Sequence, residues 1–233
     1  RLVGSEMCIR DRVMTMLCTS TESAFLPLLT TATLKTDVTI PKETGGGKGN
    51  GGGEEQSEDG EKTIILDGGV VFKGGKELCR VDDDGAMAIF FMNDMPSEYS
   101  FTVPLGQNAK PSVMLIGVTR SIKATEYNGK VKFDVSFSAS GKIGSKGGMK
   151  EDEKKAAEKV AEPAERELKR KIESSMIPIA EKGCDVFGLE NTLRRCCNRF
   201  YRENMDRVGE IIAESEIEVN VNIDIFSQGI GGA

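Results

Sequence analysis

The sequence contains no histidine and no tryptophan, and aromatic residues make up only 6% of it. Without an imidazole there is no Ser/His/Asp or Cys/His nucleophile, no histidine-liganded zinc and no histidine proton shuttle near neutral pH. The shortage of aromatics argues against a large aromatic binding surface. A basic excess is missing too: 31 basic residues against 37 acidic ones leave a net charge of −6 and a pI near 5.1. Proteins that hold nucleic acid by neutralising phosphates carry the opposite balance. No window approaches the roughly 20 consecutive apolar residues of a membrane-spanning helix. What remains, 233 residues of which 38% are hydrophobic, suffices for one large domain or two small ones. The composition points away from an enzyme.

The chain divides by composition. Residues 1–12, RLVGSEMCIRDR, resemble a translated sequencing adaptor and are set aside from the fold argument; on that reading the natural N-terminus is expected to be missing. Residues 13–43 are expected to be a remnant of a preceding domain, with the segment AFLPLLT (Ala24–Thr30) and one strand in the alternating TLKTDVTI (Thr33–Ile40). Residues 44–60 are rich in glycine and acids; such a stretch cannot offset its ordering entropy by burial, so a flexible linker is expected. A phosphate-cradling loop is excluded there, because Gly47-Lys48 is followed by Gly49 rather than Ser or Thr. Residues 61–233 are expected to form the C-terminal domain.

Within that domain the hydrophobic period is first two and then about 3.6. Thr63–Lys73 and Lys76–Val81 flank Gly74-Gly75 and read as a hairpin. Asp82–Met95 opens with acids and continues with helix formers. Ser97–Leu105 reads as a short strand. Ser112–Ala124 and Lys130–Ile143 join through Tyr127-Asn128-Gly129, a strong hairpin signal, with Val131, Phe133, Val135, Phe137 and Ala139 on one face. Glu151–Gly183 is predicted helical, with Val160, Leu168, Ile172, Met176 and Ile179 on a common stripe; Pro163 is expected to break or kink it, Pro178 to disturb its end and Gly183 to stop it. A second helix is predicted from about Phe187 to Asn204, with Asp185 capping its start and Leu189, Leu193, Cys196, Cys197 and Phe200 on one face. Glu216–Phe226 alternates cleanly and must pair with an earlier strand. The fold class is therefore α+β: a largely antiparallel sheet, two long C-terminal helices packed on one face and a final returning strand.

No pattern of catalytic, cofactor-binding or metal-ligating residues emerges. Asp82-Asp83-Asp84-Gly85 departs from a calcium loop, with Arg80 and Phe91 where an EF-hand needs oxygen ligands, and reads as a capped turn. Cys18, Cys79, Cys184, Cys196 and Cys197 form no C-x-x-C pair; buried free thiols are expected at Cys196 and Cys197, and a disulfide such as Cys184–Cys196 stays open. The stretch Glu151–Glu173 holds eight acids and seven bases, which suits a solvated face with i,i+4 pairs. Its cluster Arg166, Lys169, Arg170 and Lys171 is an alternative contact for lipid headgroups or an acidic partner.

Three stretches resemble one family: ILDGGVVFKGGKELCRV (Ile65–Val81), ERELKRKIESSMIPIAEKGCDVFGLENTLRR (Glu165–Arg195) and EIEVNVNIDIFSQG (Glu216–Gly229). Their order and spacing are similar to the C-terminal region of the GerAC or Ger(x)C spore germination lipoproteins, the C subunits of nutrient germinant receptors, and AFLPLLT fits the segment just upstream. The glycine-rich insertion and Cys184, where a serine is commoner before the aspartate, depart from the family pattern. The resemblance implies a non-enzymatic subunit without cofactors. It would lie on the outer face of the spore inner membrane through a lipid anchor absent from this sequence, and would act by contacts with the membrane-embedded A and B subunits. The alternative is a generic extracytoplasmic, envelope-associated binding module of the same architecture.

Overall fold

In the computed structural model, which describes residues 21–34, 61–93, 99–106 and 109–226, seven strands form two sheets around one shared core. Residues 1–12, positions 35–40 of the expected strand and the expected linker 44–60 lie outside the described residues.

The first sheet is antiparallel, in the order β1 (Ser23–Leu34), β2 (Glu61–Lys73), β3 (Lys76–Val81). Its first strand begins upstream of the expected Thr33–Ile40, on AFLPLLT and its flanks, and joins β2 directly. Gly74 and Gly75 take φ of 57° and 74°, the backbone of a two-residue hairpin that keeps the strands' natural twist. Gly68 is required for a different reason. It has φ of 70°, and a Cβ there would meet the Val81 carbonyl oxygen at 2.1 Å.

Asp82 caps α1 (Asp83–Met92), its carboxylate accepting from the Gly85 N–H at 2.9 Å. This helix is apolar nearly all round: Gly85, Ala86, Met87, Ala88, Ile89, Phe91 and Met92 are buried. Such a helix must be enclosed. One side meets the first sheet, where Phe90 packs edge-on against Phe25. The other meets the second sheet, where Phe91 packs against Tyr99 and Phe137.

The second sheet runs β4 (Tyr99–Thr102), β5 (Ser112–Tyr127), β6 (Lys130–Ser145), β7 (Glu216–Ile225). Asn128 and Gly129, at φ of 52° and 77°, make the tight β5–β6 turn. Val131, Phe133, Val135 and Phe137 are buried on the inner face. The returning strand β7 pairs with β6 in parallel, from Lys132↔Glu216 to Gly141↔Ile225. Parallel neighbours need a long crossover, and the helices between β6 and β7 supply it. The fold is thus α+β, with antiparallel pairing everywhere except this last strand.

The crossover begins with α2 (Glu153–Ala180), 28 residues long and about 42 Å at 1.5 Å per residue. Asp152 caps it by accepting from the Lys155 N–H. Ala156, Val160, Ala164, Leu168, Ile172, Met176 and Ile179 form its buried stripe. The helix runs unbroken through Pro163. An internal proline costs about 3 kcal/mol; here the buried residues before and after it, Val160 and Ala164, hold both halves against the same layer. Gly183, at φ of 64°, ends the helix as expected.

The second helical stretch is divided. It comprises α3 (Leu189–Cys196), α4 (Asn198–Glu203), a 3-10 turn (Met205–Arg207) and α5 (Val208–Ala213). The break falls at Cys197, at φ −125° and ψ 50°. Its cause is tertiary: the buried Tyr201 hydroxyl donates to Glu190 Oε1 at 3.0 Å. Along a straight helix eleven residues separate Cα atoms by about 16 Å, which those two side chains cannot span. The turn also carries Cys196 out of the predicted buried stripe to the surface and leaves Cys197 half-buried.

Ile172 sits fully buried at the middle of the α2 stripe. Ile172→Ala is expected to lower stability by about 2–5 kcal/mol, seen as a lower urea midpoint at unchanged slope. Arg166→Ala, on the exposed face, should change it by no more than about 0.5 kcal/mol.

Candidate functional site

The three aspartates at the start of α1 each have a separate partner. Asp82 caps the helix, Asp83 Oδ1 accepts from the Gly68 N–H at 2.8 Å, and Asp84 faces α2 and β4. Asp84 Oδ2 accepts from Lys171 Nζ at 2.5 Å and its Oδ1 from the Tyr99 hydroxyl at 3.0 Å. The Lys171 and Asp84 side chains are only 15% and 30% exposed. A pair so shielded is screened less than a surface one and ties α1, α2 and β4 together. Burial, and then the Asp84 charge, push the Tyr99 phenol above its ordinary range. The phenol is therefore held as a hydrogen-bond donor, and this cluster is a joint between elements.

The residues Cys184–Leu189 form a second joint. Cys184, Asp185, Val186, Phe187 and Leu189 are all buried. The Asp185 carboxylate accepts from the Phe187, Leu189 and Glu190 N–H groups at 3.2, 2.8 and 2.7 Å, satisfying the free donors at the start of α3 as the sequence predicts. Burial pushes this carboxyl's pKa up, against the pull of the three N–H donors. The Asp185 N–H itself donates to Ser23 Oγ at 3.0 Å, and Asn93 Nδ2 donates to the Val186 carbonyl at 2.9 Å. β1, α1 and α3 are thereby pinned to one buried run of chain.

Each base of the cluster on α2 has an acidic partner, and only the Lys171 pair is shielded from water. Arg166 pairs with Glu162, Lys169 with Glu173, Arg170 with Glu167 and Lys171 with Asp84. The Arg170 contact holds the Glu167 carboxyl below its usual range. Cys79, Cys184, Cys196 and Cys197 are free thiols, and burial pushes the Cys184 thiol up. Among the described residues no three His, Cys, Asp or Glu side chains are placed to hold a metal, and no helix is long and apolar enough to cross a membrane.

What the structure adds is a surface that sequence reasoning did not find. Between the β5–β6 hairpin tip and the α3–α4 break lies an open groove of about 840 Å³, lined by Ala124, Thr125, Glu126, Cys196, Arg199 and Phe200 among others. Cys197 Sγ donates across its floor to the Ala124 carbonyl at 3.5 Å. At the hairpin tip Tyr127 is 76% exposed. The first sheet also carries exposed apolar side chains at Leu26, Leu28, Leu29 and Ile65, of which Leu29 is 66% exposed. Neither could be located from periodicity, because each depends on which elements end up side by side.

A phenol whose pKa is raised in the fold contributes stability that is complete below its unfolded value near 10 and is lost as the pH climbs through the folded value. The protein is therefore expected to destabilise above about pH 10, and phenolate absorbance should show a late-ionising tyrosine that Tyr99→Phe removes. Asp185→Ala, which strands three buried N–H groups, should cost on the order of 2–4 kcal/mol in a thermal or urea melt, with Asp185→Asn closer to the parent.

Comparison with known proteins agrees with this architecture. The fold is similar to that in the crystal structure of the GerBC protein, with a TM-score of 0.62 at 16% identity, over 73% of this chain and 54% of that one. The chain thus spans about half the length of that structure. No curated protein matches the sequence. Residues 67–229 match the family described as spore germination B3/GerAC like, C-terminal, from the Asp67-Gly68-Gly69 stretch of β2 to just beyond β7, and the chain belongs to that family.

Proposed function

We propose that this chain is the C-terminal part of the C subunit of a spore nutrient germinant receptor. It is a non-enzymatic docking body, acting through contacts with the membrane-embedded A and B subunits. Residues 61–233 form its core domain, β1 completes the first sheet, and a lipid anchor elsewhere in the full-length protein holds it at the outer face of the spore inner membrane. The observation that carries this reading is the family match across residues 67–229. The physical character of the molecule supports it. The half-buried Asp84 and Lys171 and the buried Asp185 are engaged in joints between elements, and the surface carries a shallow groove and exposed apolar side chains on the first sheet. Groups spent on holding the fold are not available for acid–base work, whereas exposed apolar patches beside polar rims suit protein contacts.

Deletion of the gene in its native spore-former should abolish the fall in optical density that follows at least one nutrient germinant, and complementation should restore it. The full-length protein should be recovered in the spore inner-membrane fraction with the A and B subunits. Spores that respond normally to every nutrient, or a protein absent from that fraction, would overturn the reading in favour of a generic envelope-associated binding module.

A further inference from the structure

The charges around the α3–α4 groove are unbalanced in a way that those on α2 are not. Of the acids lining the groove, Glu203 pairs with Arg199 at 2.9 Å, while Glu126 accepts from the Gly129 N–H at 2.7 Å and keeps its charge. The bases beside them are in excess. Arg195 and Arg202, which flank the lining residues Cys196 and Glu203, are exposed and have no hydrogen-bond or ion-pair partner among the described residues; the same holds for Lys123 and Lys130 on the hairpin. A local positive field therefore stands on a chain whose net charge is −6.

The backbone beside this field is also incompletely paired. β4 reaches only Ser112–Leu115 of β5, so among the described residues Ile116–Tyr127 has a strand neighbour on the β6 side alone. At Ala124 the carbonyl accepts from the Cys197 thiol, a weak donor, at the break that leads into α4. The groove runs along this flank. A strand edge with spare backbone groups next to a concave surface is suited to an extended peptide. A flat lipid surface would meet the rim and leave the groove empty.

We propose that this groove receives an extended, acidic segment of a partner protein, its backbone laid along β5 near Ala124–Glu126 and its carboxylates paired with Arg195 and Arg202. The assignment deepens the docking role proposed above and rests on it.

The test uses the full chain and a labelled octapeptide of alternating glutamate and valine, with its lysine–valine counterpart and phosphatidylglycerol vesicles as comparison probes. The glutamate peptide should bind by fluorescence anisotropy, weaken on the order of tenfold in high salt, and slow the alkylation of Cys196 resolved by peptide mass. The double variant R195E/R202E, both exposed positions, should lose binding on the order of tenfold or more, while R166E, on the exposed face of α2, should not. The proposal is overturned by absence of glutamate-peptide binding, by binding that survives charge reversal, or by vesicle co-sedimentation that R195E/R202E abolishes in place of peptide binding. Should the peptide fail while gene deletion still blocks nutrient germination, the groove assignment alone falls. Should germination persist without the gene, the receptor reading falls whatever the peptide does.

Discussion

The helix Asp83–Met92 has almost no face left for water, and the rest of the molecule is arranged to enclose it. Burying Met87, Ile89, Phe91 and Met92 is worth roughly 1.5–3 kcal/mol each, but only if apolar partners stand on every side. No single sheet can provide that. The first sheet closes one side through Phe25, the second closes another through Phe137 and Tyr99, and α2 covers a third. The two sheets therefore share one core instead of forming separate layers. The cost of an enclosed helix lies at its polar ends, and the side chains there meet it. Asp82 and Asn93 satisfy its terminal backbone groups, while Asp84 reaches out to Lys171 and Tyr99.

The same logic accounts for the passage from α2 to α3. A fully buried run of chain can exist only if its backbone polar groups are paired, and Asp185, Ser23 and Asn93 pair them. Once this passage is pinned, α3 is held against β5, and the bond from Tyr201 to Glu190 turns α4 back on itself. The groove is a by-product of that turn: it opens where a straight helix would have continued. α2 shows the contrasting case, a charged helix most of whose bases stand beside an acid, so that its outer face has little net field. A helix carboxylate also serves the sheet, since Glu165 accepts from the Ile223 N–H on the open edge of β7 and blunts that edge against unwanted pairing.

Much of this was legible along the chain. The Gly74-Gly75 and Asn128-Gly129 turns, the alternation of β5, β6 and β7, the α2 stripe, its stop at Gly183 and the cap at Asp185 all appear in the sequence and stand where it puts them. Each is a local signal, written within a few residues and read by period or by turn chemistry. What was not legible is what arises between distant segments: the split into two sheets, the parallel pairing of β7 with β6, the survival of the helix through Pro163, the break at Cys197 and the surface position of Cys196. The α2 lysine and arginine cluster looked available from sequence because its acidic partners, Asp84 in particular, are not all neighbours in the chain.

The sequence by itself determined the kinds of element, their order, the faces they must bury and the absence of imidazole chemistry, because composition and hydrophobic period are properties of short stretches. Only the tertiary structure decided which carboxylates are consumed in joints and which arginines are left over. Pairing depends on distances between segments that lie as far apart as Asp84 and Lys171, and those distances are set by how the shared core closes around its central helix.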